Sequence, residues 1–189
     1  MPAFDYWEIG PQSNRIIPTA DKATHAINVV DYAHHEIHSG SAYIVIHSML
    51  RADTEVSEVR IQTPDTTKWA HALIGVQSAL ASTVAFHEST SMTHTAANVM
   101  TPLNRDRNST STSAMLICHT PTGADTSAPT FTEYIGASAS GGRIAVGGGS
   151  SSRAEYILKQ NEDYLIRVTS RADGNAITIL VDWYEHTNR

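Results

Sequence analysis

From residue 26 onward the apolar positions recur with a period of two, the spacing of strands that turn one face to a core. "INVVDY" (27–32) and "SAYIVIHSML" (41–50) are rich in β-branched and aromatic residues. "VSEVRIQTP" sets Val56, Glu58 and Arg60 against Ser57, Val59 and Ile61, a looser alternation. In "KWAHALIGVQS" Trp69, His71, Leu73 and Gly75 share one face with small residues opposite, which makes Trp69 and Leu73 expected core or interface residues. "STVAFHEST", "SAMLICHT" and "FTEYIGAS" add shorter strands. "AEYILKQNEDYLIRVTS" reads as two strands joined at "QNED", and Asp173-Gly174 as a turn before a final strand, "NAITILVDWYEH". Tyr164, Leu165, Ile179 and Trp183 complete the expected core.

The punctuation between the runs fits the same picture. "NVMTPLNRDRNSTSTS" (98–113) and "HTPTGADTSAPT" (119–130) have the Pro, Asn, Asp and Ser content of long polar loops. "SGGRIAVGGGSSSR" (140–153) lacks the spacing of a phosphate-binding loop and reads as a turn or closely packed backbone. Residues 1–24 carry Pro2, Pro11 and Pro18 without sustained periodicity, so an extended N-terminal arm is expected there. Residues 25–189 then form a single domain. With no convincing amphipathic helix, the expected class is all-β: an antiparallel β-sandwich, jelly-roll-like.

Composition narrows the choice of function. Only 17% of the 189 residues are charged, and Ser, Thr, Ala and Gly fill the gap, as neutral outer faces of sheets would require. A formal charge of −6 provides no basic field for phosphate backbones, so a nucleic-acid partner is not expected. No segment approaches the ~20 apolar residues of a membrane-spanning helix, and the acidic N-terminal stretch does not read as an export signal. Membrane partners are therefore not expected, and synthesis in the cytoplasm is. Cys118 cannot form an internal disulfide and reads as a small core residue.

The densest chemistry lies in "DYAHHEIHSG" (31–40), where His34, His35, Glu36 and His38 crowd into five positions. On a helix His34 and His38 would share a face, the i, i+4 relation that zinc sites use. The H-E-x-x-H register is missed by one, however, and the stretch runs straight into "AYIVIH". A strand or loop is the expected state, with the four residues as polar groups in a loop or subunit contact. The remaining histidines, at 25, 47, 71, 87, 94, 119 and 186, show no metal-ligand spacing, and the G-x-S-x-G elbow of serine hydrolases is absent. No catalytic residue, metal site or cofactor is assigned.

Several phrases resemble a group of small proteins encoded among the head genes of tailed bacteriophages: "DYAHHEIHSGSAYIV", "QTPDTTKWAHALIGV", "TPLNRDRNSTS", "EYILKQNEDYLIRVTS" and "VDWYEHTNR". The resemblance runs from about residue 25 to the C-terminus and carries no chemical mechanism. It implies a virion structural protein, a decoration or cement protein on the capsid surface. Its partner would be the major capsid protein, and it would be a homo-oligomer, in the simplest case a trimer at a local three-fold site. Phe4, Tyr6 and Trp7 would then anchor the arm on the lattice, since aromatic side chains dominate contact hot spots. Two alternatives stay open: a tail, collar or host-recognition module binding a surface carbohydrate or protein, and a metal-dependent enzyme built on the histidine cluster.

Overall fold

The computed structural model describes residues 32–136, 143–144 and 155–187. The arm at 1–24, with Phe4, Tyr6 and Trp7, lies outside them, as do the strand expected through residues 27–31 and most of the glycine-rich stretch. The described residues begin with helix α1 (Tyr32–His38), then strands β1 (Ala42–Arg51), β2 (Val56–Gln62), β3 (Lys68–Ser78) and β4 (Ser82–Glu88). Inside the expected loop at 98–113 lie two short strands, β5 (Val99–Met100) and β6 (Leu103–Asn104). The remaining strands are β7 (Leu116–His119), β8 (Phe131–Ile135), β9 (Arg143–Ile144), β10 (Tyr156–Leu158), β11 (Asp163–Ser170) and β12 (Asn175–Thr187).

The ladders follow one plan. β1 pairs with β12, β2 with β11, β3 with β10 and β4 with β8, all antiparallel. That is the nesting of one long hairpin. Two more ladders, β12 on β3 and β11 on β4, gather the halves into two sheets. The first runs β10-β3-β12-β1-β6, with β9 also on β3, and the second β5-β7-β2-β11-β4-β8. The result is the expected all-β sandwich of two antiparallel sheets. β10 and β11 are the two strands joined at "QNED", yet they belong to different sheets, so that connection crosses the sandwich instead of closing a hairpin.

Alternation decides what fills the space between the sheets. Tyr43 and Val45 from β1, Ile74 and Val76 from β3, and Ile177, Ile179, Val181 and Trp183 from β12 face Val59, Ile61, Val84, Phe86, Ile117, Tyr164 and Ile166 of the second sheet. On β3 the buried set is therefore Ala70, Ala72, Ile74 and Val76, the opposite face from the one the sequence suggested. Leu73 points outward and is 41% exposed, while Trp69 is half-buried. The reason is volume: Ala72 stands beside Trp183 in the ladder, with Tyr43 on the indole's other side. Small residues are needed where large rings already fill the layer. The Trp183 and Tyr43 rings lie 5.8 Å apart, and Trp183 Nε1 donates to Glu185 Oε1 at 3.1 Å.

Polar groups close both ends of the sandwich. At one end Asn175 Oδ1 accepts from Leu80 N at 2.8 Å and from Ser78 Oγ at 3.0 Å, and its amide donates to Ser82 Oγ and Ala81 O. The expected turn precedes it, with Gly174 at φ 68°, where a Cβ would be strained. At the other end α1 packs beside β12 and β1, and Glu185 N donates to Ser41 O at 3.0 Å.

Candidate functional site

The histidine cluster is helical, which corrects the strand or loop expected for it. Gly40, at φ 74°, ends the turn, and the side chain of Glu36 holds the link to β1 by accepting from Ser39 Oγ at 3.2 Å and, at shorter range, from Ser41 Oγ. Local bonds of this kind outweigh the weak helix propensity of His. Glu36 is thereby buried and structural, with His35 Nδ1 3.5 Å from its carboxylate. His34 and His38 do share a face, their Nε2 atoms 3.0 Å apart and their rings edge to face at 4.6 Å.

A second group forms where the sequence showed no spacing at all. The ladder sets Tyr184 of β12 opposite His71 of β3, and alternation puts His186 on the same outward face. His71 Nε2 lies 2.7 Å from His186 Nε2, and His71 stacks on Tyr184 with centroids 4.7 Å apart. Glu155, just before β10, brings Oε1 to 3.1 Å from His71 Nδ1 and accepts from the Tyr184 hydroxyl at 3.1 and 3.2 Å. His186 Nδ1 donates to Thr187 O at 3.2 Å. Since Ala42 also faces Tyr184, this group and α1 occupy the same end of the first sheet.

Beyond this end, two rows of that sheet's outer face are mostly apolar, followed by a polar row of Ser48, Thr178 and Gln77. Leu103, Ile44, Asp182 and Leu73 form one cross-strand row, and Ile46, Leu180 and Gly75 the next. Ile46, Leu50, Leu103 and Ile157 are between 49% and 70% exposed. Asp182 is the charged member; burial raises its pKa, and Arg105, whose Nη1 is 3.0 Å away, opposes that shift.

The second sheet is finished differently. Its outer row, Cys118–Arg60–Leu165–His87, is buried beneath the segments 89–98 and 120–130. Those segments are stitched together by a Thr93–Thr122 bridge and by Thr90 and Asp125, whose main and side chains bond at 3.0–3.1 Å. Beneath them Arg60 forms a fork on Asp163, with Nε–Oδ1 2.9 Å and Nη2–Oδ2 3.0 Å, and donates to His94 Nδ1 at 2.8 Å. Cys118 is buried as expected, though under this cover and not between the sheets; burial pushes its thiol pKa up, with Arg60 opposing. His87 has both ring nitrogens buried without a hydrogen-bond partner. Burial, then the Arg167 charge, lowers its pKa, against weaker opposing effects of the Ala128 backbone and Asp125. His47, stacked on His119 at 5.0 Å between the sheets, is lowered by burial and by the His119 and Arg51 charges.

What the site can do follows from its shape. The cleft lined by Thr63, Met115, Leu158 and Glu185 offers about 10 Å³, room for one water and not for a substrate. Among the described residues no three His, Cys, Asp or Glu side chains converge as a metal cage. The outer face of the first sheet carries exposed aliphatic side chains and, at one end, the His71–Tyr184–His186 group. Neither a family model, a curated protein nor a solved structure matches the chain.

Proposed function

We propose that the protein is a non-enzymatic capsid decoration protein that docks on the head lattice of a tailed phage through the outer face of its first sheet. The observation that carries this reading is the set of exposed aliphatic side chains at Ile46, Leu50, Leu73, Leu103 and Ile157 on one face of a rigid, hydrogen-bonded sheet. Apolar patches on folded surfaces mark interaction sites, and a flat sheet face suits a flat protein partner better than a small ligand, which needs a concavity. The wording resemblance to phage head proteins supplies the identity of that partner, the major capsid protein. The protein acts as a homo-oligomer, in the simplest case a trimer.

The fold belongs to the same proposal as a jelly roll. Eight strands nested first-with-last and rolled over two sheets give the orders β10-β3-β12-β1 and β2-β11-β4-β8, the arrangement that two interlocked Greek keys generate. Jelly rolls serve many purposes, so this supports the architecture and not the role.

The test is quantitative mass spectrometry of purified virions, normalised to the major capsid subunit. A copy number comparable with that subunit is expected. A few copies per particle would replace the reading with a tail or collar component, and absence from virions would refute it.

A further inference from the structure

We infer that His71 and His186 form a two-imidazole site for a divalent transition-metal ion of the zinc, nickel or copper class, with Glu155 and Tyr184 as the groups that position it. The argument is one of tautomers. A carboxylate only accepts hydrogen bonds, so the 3.1 Å contact between Glu155 Oε1 and His71 Nδ1 requires the proton on Nδ1. The Tyr184 hydroxyl, 3.1 Å from the same nitrogen, donates to Glu155 and leaves that assignment intact. A backbone carbonyl is likewise an acceptor, so His186 Nδ1, 3.2 Å from Thr187 O, carries the proton of its ring.

Both rings thereby turn Nε2 away from the bonds that fix them, and the two Nε2 atoms face each other at 2.7 Å. One proton between them closes this contact as an N–H···N hydrogen bond, and a transition-metal ion can take that proton's place. Two nitrogens each about 2.0–2.1 Å from one ion stand about 2.9 Å apart at an octahedral bite and about 3.4 Å apart at a tetrahedral one. The rings need to open by about 0.2 Å for an octahedral ion and about 0.7 Å for a tetrahedral one. Imidazole nitrogen suits zinc, copper and nickel, and discriminates against magnesium and calcium. The Glu155–His71 bond is the outer-shell contact that metal-binding histidines almost always make, fixing ring orientation and raising ligand basicity.

The fold supplies the rigidity. His71 and His186 stand on adjacent, fully paired strands, and Tyr184 stacks on His71 from the residue between. With two protein ligands, water or a donor from another molecule completes the coordination. The site lies at one end of the same outer face as the proposed capsid contact, with Ile157 opposite His71, but the inference does not rest on that contact.

The experiment is calorimetric titration of the intact, metal-free protein with zinc chloride, repeated for His71→Gln, His186→Gln, Glu155→Gln and the double variant H34Q/H38Q. One zinc per chain is expected. Affinity should fall at least about tenfold in H71Q and in H186Q, fall by a smaller factor in E155Q, and stay unchanged in H34Q/H38Q, as removing outer-shell partners costs about 10–100-fold at well-formed sites. Melting temperature without zinc reports folding of each variant; should one ligand variant fail to fold, the other decides. The inference is overturned by no saturable binding, by binding that survives H186Q or H71Q in folded protein, or by binding lost only in H34Q/H38Q.

Discussion

The two sheets share one core and differ on their outer faces. On the second sheet the chain doubles back, lays 89–98 and 120–130 over the surface, and seals a row that includes an arginine and a histidine. On the first, strands of similar length and pairing leave aliphatic side chains largely in water. Hydrophobicity alone would have produced the reverse, with the aliphatic face covered and the charged row exposed. The contrast shows that internal bonding fixes the polar row, while the aliphatic side chains on the first sheet's outer face stay exposed.

Trp183 lies beneath both faces and sets the scale. Truncating it to alanine opens a large cavity and removes the Nε1 donor from buried Glu185. The expected loss is about 3–5 kcal/mol, read from the urea midpoint at unchanged slope. An unchanged midpoint would mean that the layer between the sheets does not hold the sandwich together, and the comparison of outer faces would lose its common reference.

The sealed face should answer next. Arg60→Met leaves the Asp163 carboxylate beneath the loops without its fork, at a cost of about 3 kcal/mol, toward the low end for a broken buried pair because a fifth of the Asp163 side chain still meets water. Replacing both partners, Arg60→Met with Asp163→Leu, should recover much of that loss, since well-packed apolar pairs often match buried ion pairs. A double variant no better than the single one would show that His94 and the loops depend on the charge itself.

His87 makes the same face sensitive to pH. Its folded pKa is lowered, so between that value and the unfolded value near 6.5 the unfolded chain binds the extra proton. Its contribution to stability is complete above about pH 6.5 and is lost as pH falls through that window, with a limiting slope of about 1.4 kcal/mol per pH unit for one proton. His47 is shifted in the same direction and adds to the effect. In His87→Leu the slope should shrink, leaving the share from His47 and other groups. Urea unfolding across pH 5–8 reads it, and an unaltered slope would take His87 out of the account.

How far these features were legible in the sequence depends on whether they are local. Period-two alternation located β1 to β4, β11 and β12, and Asp173-Gly174 marked its turn, because strand pattern and turn chemistry are written in adjacent residues. Side-chain size does not mark the inward face of β3: Ala70 and Ala72 are buried there, Ala72 beside Trp183, which lies more than 100 positions on and is brought near only by the ladder, while Leu73, expected in the core or at an interface, faces outward. Helix α1 was missed because its support, Glu36 bonded to Ser39 and Ser41, overrides a sequence with modest helix propensity. His71 and His186 show no spacing relation in the sequence, because their meeting depends on the β3–β12 register, which no spacing records.

The smallest expected effect bears hardest on the comparison. Ile46→Thr and Leu73→Thr keep or improve strand compatibility while removing apolar area from the open face, so each should change stability by no more than about 0.5 kcal/mol. Binding of the purified protein to capsids, read by co-sedimentation, should nonetheless weaken in the double variant, since the lost area would be buried only in the complex. If the substitutions instead destabilise the isolated protein by more than about 1 kcal/mol, beyond what exposed sites lose, the face is already covered in the isolated protein. The two sheets would then both be sealed, one by loops and the other by a contact formed before any capsid is met.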